Sequence, residues 1–247
     1  MSAGSIFLWE LLGTAVLIML GTGVVANNVL RKTNGNDTGT LFVNIGWGFA
    51  VFTGASLAAP SGAHLNPAIT LALAVADKTD WADVPIYFLA QMLGGILGAV
   101  LCWATYKLQF DDHDDPGGTL GVFSTVPTIP NKLWNTVTET LGTFVLVAFV
   151  LFSPVYKQDG GVPNFGNSAL GYAGVAFVVL VIGTSLGGPT GYAINPARDL
   201  GPRLAYAFIL PIKGKGPAQW AYSWVPVVGP MLGGVLAALL YLAYPSA

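Results

Sequence analysis

Two triplets, Asn66-Pro67-Ala68 and Asn195-Pro196-Ala197, are the residues of this sequence whose type and spacing most constrain its chemistry. Asparagine caps a helix through its side-chain oxygen, and proline fills the first helical position, where no amide N–H is needed. Each triplet therefore starts a helix and leaves a carboxamide free to donate. Two charged residues lie inside the long apolar runs, Glu10 and Glu139, and Arg198 follows the second triplet. A charge at mid-membrane costs about 2.5–3.5 kcal/mol or more, so each needs a partner or a task. Arg198 stands in the first turn of the second helix, where a cation opposes the helix dipole and must be doing something else. Such a set can hydrogen-bond a neutral solute and repel cations. It does not compose a catalytic site. With two histidines, one cysteine (Cys102) and no glycine-rich phosphate loop, neither an enzyme nor a cofactor is expected. The run Asp111-Asp112-His113-Asp114-Asp115 reads as a solvated loop, and no metal site is expected.

The elements that must position these residues are membrane spans. Charged residues make up 9% of the chain, against about 25% in an average soluble domain. Hydrophobic residues make up 53%, and the mean hydropathy is +0.64. That leaves too little polar surface for a soluble fold, and the scattered Lys and Arg offer no nucleic-acid patch. Six apolar runs are long enough to cross a bilayer: 6–28, 41–59, 84–106, 133–153, 168–187 and 221–244. Two more, 66–76 and 195–206, begin at the Asn-Pro pairs and are too short to cross about 30 Å at 1.5 Å per residue. They are re-entrant half-spans or surface helices.

The chain repeats itself. A shift of 129 residues lays Glu10-Leu11-Leu12-Gly13-Thr14 on Glu139-Thr140-Leu141-Gly142-Thr143, Gly54 on Gly183, and the first triplet on the second. Later the shift becomes 139, where Met92-Leu93-Gly94-Gly95 meets Met231-Leu232-Gly233-Gly234, so about ten residues are inserted near Pro211–Pro217. The repeats are 1–129 and 130–247, within a single domain spanning 1–247. Each holds three spans, an odd number, so the second enters the membrane inverted relative to the first. The half-helices then dip in from opposite faces and meet, amino end to amino end, near the bilayer centre. Non-helical backbone is tolerated at that depth only where it is buried in protein or lines a wet cavity. The approaches Gly62-Ala63-His64 and Gly191-Tyr192-Ala193 therefore argue for a pore lined by their carbonyls.

Twin motifs SGAHLNPA (61–68) and TGYAINPARDLGPR (190–203), in a six-span inverted repeat, resemble those of the aquaporin (major intrinsic protein) family. The resemblance implies an all-α membrane protein with six transmembrane helices and two re-entrant half-helices. It implies passive conduction in the cell membrane by a homotetramer, with both termini cytoplasmic. The charges run against that orientation: Arg31, Lys32, Lys107, Lys132, Lys213 and Lys215 would lie outside, and Lys78 and Lys157 inside. By the same resemblance Glu10 and Glu139 support the re-entrant loops, and Arg198 is the constriction arginine.

The family's narrowest ring falls here on Trp47, Gly183, Tyr192 and Arg198. Water-selective members usually carry His where Gly183 stands. Gly183 leaves that wall open, Tyr192 and Trp47 form an apolar corner, and Arg198 faces hydroxyls, which suits glycerol. Asp199 after Arg198 also resembles the glycerol branch. Trp47 to Asn66 is 19 residues, one fewer than the glycerol-type pattern. Trp47 keeps its place if the missing residue lies in the Ala58-Ala59-Pro60 turn; otherwise Gly46 or a neighbour takes it. The expectation is a channel for glycerol, water and similar neutral solutes. A water-selective pore and an ion-coupled transporter are the alternatives.

Overall fold

The computed structural model describes residues 1–153 and 171–244. Residues 168–170, with which the fifth span was expected to begin, and Lys157 lie outside the described residues. The described chain is helical: α1 (Ala3–Val29), α2 (Thr40–Leu57), α3 (Pro67–Val75), α4 (Val84–Thr105), α5 (Lys107–Asp112), α6 (Leu120–Phe123), α7 (Lys132–Phe152), α8 (Gly171–Leu186), α9 (Pro196–Phe208) and α10 (Val225–Ala243). Five of these, α1, α2, α4, α7 and α10, are long and apolar enough to cross a membrane. The described part of α8 is apolar and runs 16 residues. The last span opens at Val225 rather than 221, because Trp220–Trp224 is turned rather than helical.

These helices are apolar on every side, as helices buried in protein on one face and in lipid on the other must be. Leu8, Phe49, Leu141, Phe177 and Leu236 are exposed on the outer faces. The short helices behave differently. At 1.5 Å per residue, α3 spans about 14 Å and α9 about 20 Å, so together they make one crossing of the bilayer. Each docks on the opposite half of the chain: α9 lies along α4, and α3 along α10. α1 packs along α4, α7 along α10, and α2 against α8.

Small residues permit these approaches. A Cβ added at Gly94 would lie 2.6 Å from the Leu11 carbonyl oxygen, and one at Gly95 2.7 Å from that of Ala197. Gly229 is pressed in the same way against Glu139 and Thr136 of α7. The spacing of Gly183 and Gly187 also predicts a helix–helix contact. The structure places both beneath the ring of Tyr192, and Gly183 also against Asn44 of α2.

The connections 30–39, 106–131 and 209–224 lie on one face and hold one another. Arg31 pairs with Asp114, and Lys32 with Asp112 at 2.8 Å. The Lys32 hydrogen bond holds the Asp112 carboxyl below the usual carboxylate range. The inserted segment has a definite task. Lys215 Nζ donates to the carbonyls of Tyr206, Ala207 and Leu210, so a cation caps the negative end of α9.

Candidate functional site: a pore built on two asparagines

Asn66 and Asn195 each cap their own half-helix. Asn66 Oδ1 accepts from Ala68 N at 2.9 Å, and Asn195 Oδ1 accepts from Ala197 N at 2.9 Å and Arg198 N at 3.2 Å. Each side-chain nitrogen then crosses to the other half. Asn66 Nδ2 donates to Ile194 O and Asn195 Nδ2 to Leu65 O, both at 2.8 Å. The two amino ends, each carrying about half a positive charge, thus face each other at the centre of the protein. Pro67, Ala68, Pro196 and Ala197 are buried in the first turns behind them.

The loops leading to the asparagines hold a conformation that L-residues rarely adopt. φ is positive at Gly62, Ala63 and Leu65 in the first, and at Gly191, Tyr192 and Ile194 in the second. Each non-glycine residue so placed costs about 1–3 kcal/mol unless its surroundings hold it. The two buried glutamates supply that hold. Glu10 accepts from His64 N (2.9 Å), Leu65 N (2.7 Å), Ser61 Oγ (2.7 Å) and Gln91 Nε2 (2.8 Å). Glu139 accepts from Ala193 N (3.0 Å) and Ile194 N (2.8 Å). Every partner of both carboxylates is a donor, which accounts for two acidic groups inside apolar helices.

A cavity passes along this backbone, lined by Gly62, Ala63, His64, Leu65, Asn66, Ala193, Ile194 and Asn195. Towards one face it is walled by Trp47, Tyr192 and Arg198; towards the other by apolar residues such as Leu73, Val150 and Val175. The Gly191 N–H donates to Gly187 O at 2.8 Å, at the turn into the loop. The His64 ring is satisfied, with Nδ1 3.1 Å from Thr70 Oγ1 and its face stacked on Tyr87.

At the Trp47 end, Arg198 is 8% exposed and lies over the indole, its guanidinium carbon 3.9 Å from the ring centroid. Its Nη1 donates to Phe123 O at 3.2 Å, leaving most of its five N–H groups for other acceptors. Trp47 thus lines the cavity beside Arg198, whereas Gly46 packs on Val24 of α1. Trp47 is seated in turn on Gly21, where any side chain would overlap the indole. Gly183 is not itself a wall of the cavity. It is buried behind Tyr192, whose phenol fills the space a larger residue would take. Tyr192 OH donates to Asn44 Oδ1 at 2.6 Å.

Asp199 pairs with Arg203, not with Arg198. Arg203 Nε donates to Asp199 Oδ1 at 2.8 Å, and both side chains are fully buried. Asp199 Oδ2 accepts from Thr125 N (2.7 Å) and Oγ1 (2.6 Å), and Arg203 also binds the carbonyls of Thr125 and Ala218. This network pins the segment that presents Phe123 O to Arg198. Phe123, Thr125 and Asn44 are site residues that the sequence reading misses. Nothing in the local pattern marks them, because their partners lie 74 to 148 positions away.

The sequence model of the family described as "Major intrinsic protein" matches residues 3–241. A "Probable glycerol uptake facilitator protein" of Thermotoga maritima is 48% identical over 96% of this chain and 98% of its own. The "Glycerol uptake facilitator protein" of Bacillus subtilis is 48% identical over 96% of this chain and 84% of its own. Among solved structures, the aquaglyceroporin from Plasmodium falciparum superposes with a TM-score of 0.77 at 31% identity, covering 97% of this chain and 96% of that one.

Proposed function

This chain belongs to the major intrinsic protein family, and from that premise we propose that it is a passive channel for glycerol, water and other small neutral solutes in the cell membrane. The observation that carries the reading is the end of the cavity where one cation, Arg198, meets two aromatic rings, Trp47 and Tyr192. Arg198 donates to the solute's hydroxyls, and the Tyr192 ring with the edge of Trp47 takes its CH groups. The indole beneath Arg198 disperses the guanidinium charge over its π-face without consuming an N–H. A polyol passing this slot exchanges its hydration for hydrogen bonds on one side and apolar contact on the other.

Beyond the slot, carbonyls of the two loops accept, and the asparagine amides donate at the midpoint. Helix amino ends and Arg198 together disfavour cations there. Tyr192 and Gly183, rather than a histidine, support glycerol over a water-only pore. An ion-coupled transporter would need ionisable groups along the path, and Glu10 and Glu139 are committed to backbone amides.

In the same reading, repeats 1–129 and 130–247 each furnish one half-helix and one glutamate support. The termini are cytoplasmic, placing the slot and Arg31, Lys32 and Lys215 outside. Exposed apolar helix faces support assembly into a homotetramer, each subunit with its own pore. The test is stopped-flow light scattering on liposomes holding the purified protein. Shrinkage followed by fast reswelling in glycerol, without ions, is the expected result. Fast water efflux without reswelling would replace glycerol conduction by a water-selective pore.

A further inference from the structure

The hydroxyl of Tyr192 has a fixed partner outside the lumen. It donates to Asn44 Oδ1 at 2.6 Å, a short O–H···O bond. Asn44 is 6% exposed and lies on α2, three residues before Trp47. It is not among the residues that line the cavity. A Cβ at Gly183 would stand 2.7 Å from Tyr192 Cζ and 3.0 Å from Asn44 Cγ, so the three residues are in mutual contact. Glu139 fixes the backbone immediately after Tyr192, and the Gly191–Gly187 hydrogen bond fixes it immediately before. The backbone is thus held on both sides of Tyr192, Gly183 and Gly187 press on the ring from behind, and the ring itself borders the lumen.

We propose that Asn44 is a specificity-determining positioning residue: by accepting the Tyr192 hydroxyl it keeps that hydroxyl out of the lumen, so that the slot offers aromatic CH surface to a polyol. Without Asn44 the hydroxyl would be buried with no partner, which is unfavourable, and its nearest wet environment is the pore. Turning there, it narrows the slot and adds a polar group where CH groups must pass. Glycerol, which fills the slot, suffers more than water. The pair is specific to this end of the pore. The positions 129 residues away from Asn44 and towards the amino terminus from Tyr192 are Ala173 and Ala63, which have no hydroxyl or amide to join.

The inference rests on glycerol conduction, and the experiment separates the two. The ratio of glycerol to water permeability in liposomes is independent of the amount of protein inserted. Asn44→Leu, nearly isosteric, is expected to lower that ratio at least about threefold when Tyr192 is present. In a Tyr192→Phe background the same change is expected to alter it by less than about 1.5-fold, because the two side chains act as a unit. Asn44→Ala serves as a second variant should leucine impair insertion. An equal fall in both backgrounds would mean that Asn44 acts by packing alone, and no fall in either would remove it from the filter; both overturn the proposal. Absence of glycerol flux in the unaltered protein would instead overturn the channel reading itself.

Discussion

Replacing Glu139 by Gln removes one acceptor and nothing else of comparable size. The carboxylate accepts from Ala193 N and Ile194 N with one oxygen each. Glutamine keeps one oxygen and turns an NH2 group towards the other amide. One hydrogen bond to a charged group is lost, worth about 1.5–3 kcal/mol. The positive φ at Tyr192 and Ile194 still costs about 1–3 kcal/mol each, now with less to hold it. A shift of about 2 kcal/mol changes the ratio of held to relaxed loop about thirtyfold. The effect crosses the midplane, because Ile194 O is the acceptor for Asn66 Nδ2. Water and glycerol permeabilities are therefore expected to fall together, by about tenfold, when measured per inserted protein in liposomes. Glu139→Asp keeps both acceptors on a shorter arm and should fall between Gln and the unaltered protein. Rates unchanged by Glu139→Gln would refute the argument that the carboxylate holds the pore backbone.

Three further outcomes are expected. Arg198→Val should retain solute flux but raise cation or proton leak: a unit charge at about 4 Å contributes about 4 kcal/mol of repulsion at an effective dielectric of 20. Because both helix amino ends remain, the rise should be about tenfold, read with a pH-sensitive dye in the liposomes; an unchanged leak would remove Arg198 from the barrier. Gly183→His should depress glycerol more than water, since a Cβ there already meets Tyr192 Cζ at 2.7 Å and must push the phenol into the slot. Equal loss of both fluxes would separate Gly183 from the filter. Asp199→Ala strands the buried Arg203 guanidinium and should cost about 3–5 kcal/mol, seen as a lowered Tm in detergent. An unaltered Tm would mean that the pair does not hold the Phe123–Thr125 segment.

Spans and half-helices were legible because their signals are local. Asn-Pro starts α3 and α9 where the residue types require, and apolar length marks the long helices. The glutamates were legible through the repeat, which gave both the same 56-residue distance to an asparagine. Contacts across the bundle were not. The spacing of Gly183 and Gly187 is that of a helix contact, and only the structure shows an aromatic ring lying there. Asp199 and Arg203 are four residues apart on a helix, so their pairing could have been read from spacing. Their hold on Thr125 could not, since residues 113–131 follow no apolar period.

The repeat explains where selectivity has to reside. Residues that coincide under the 129-residue shift, namely the two glutamates, the two asparagines and the Pro-Ala pairs behind them, build the midplane, where the reciprocal hydrogen bonds are the same in both directions. A pore made of these alone would be alike at its two ends. The slot consists of residues at which the repeat fails: Tyr192 stands against Ala63, Arg198 against Ile69, and Trp47 against Ala176. Each replaces a small or aliphatic residue with a bulky aromatic or charged one, and all three face the same end of the cavity. On the proposed reading, conduction and cation exclusion at the centre follow from the part of the sequence that is duplicated, whereas the choice among neutral solutes follows from the part that is not. Changes at these midplane positions should therefore alter all fluxes together, as for Glu139→Gln, and changes at or directly behind the divergent ones should alter their ratio, as for Asn44→Leu and Gly183→His, both acting through Tyr192. A ratio change from Glu139→Gln as large as that from Gly183→His would break this division.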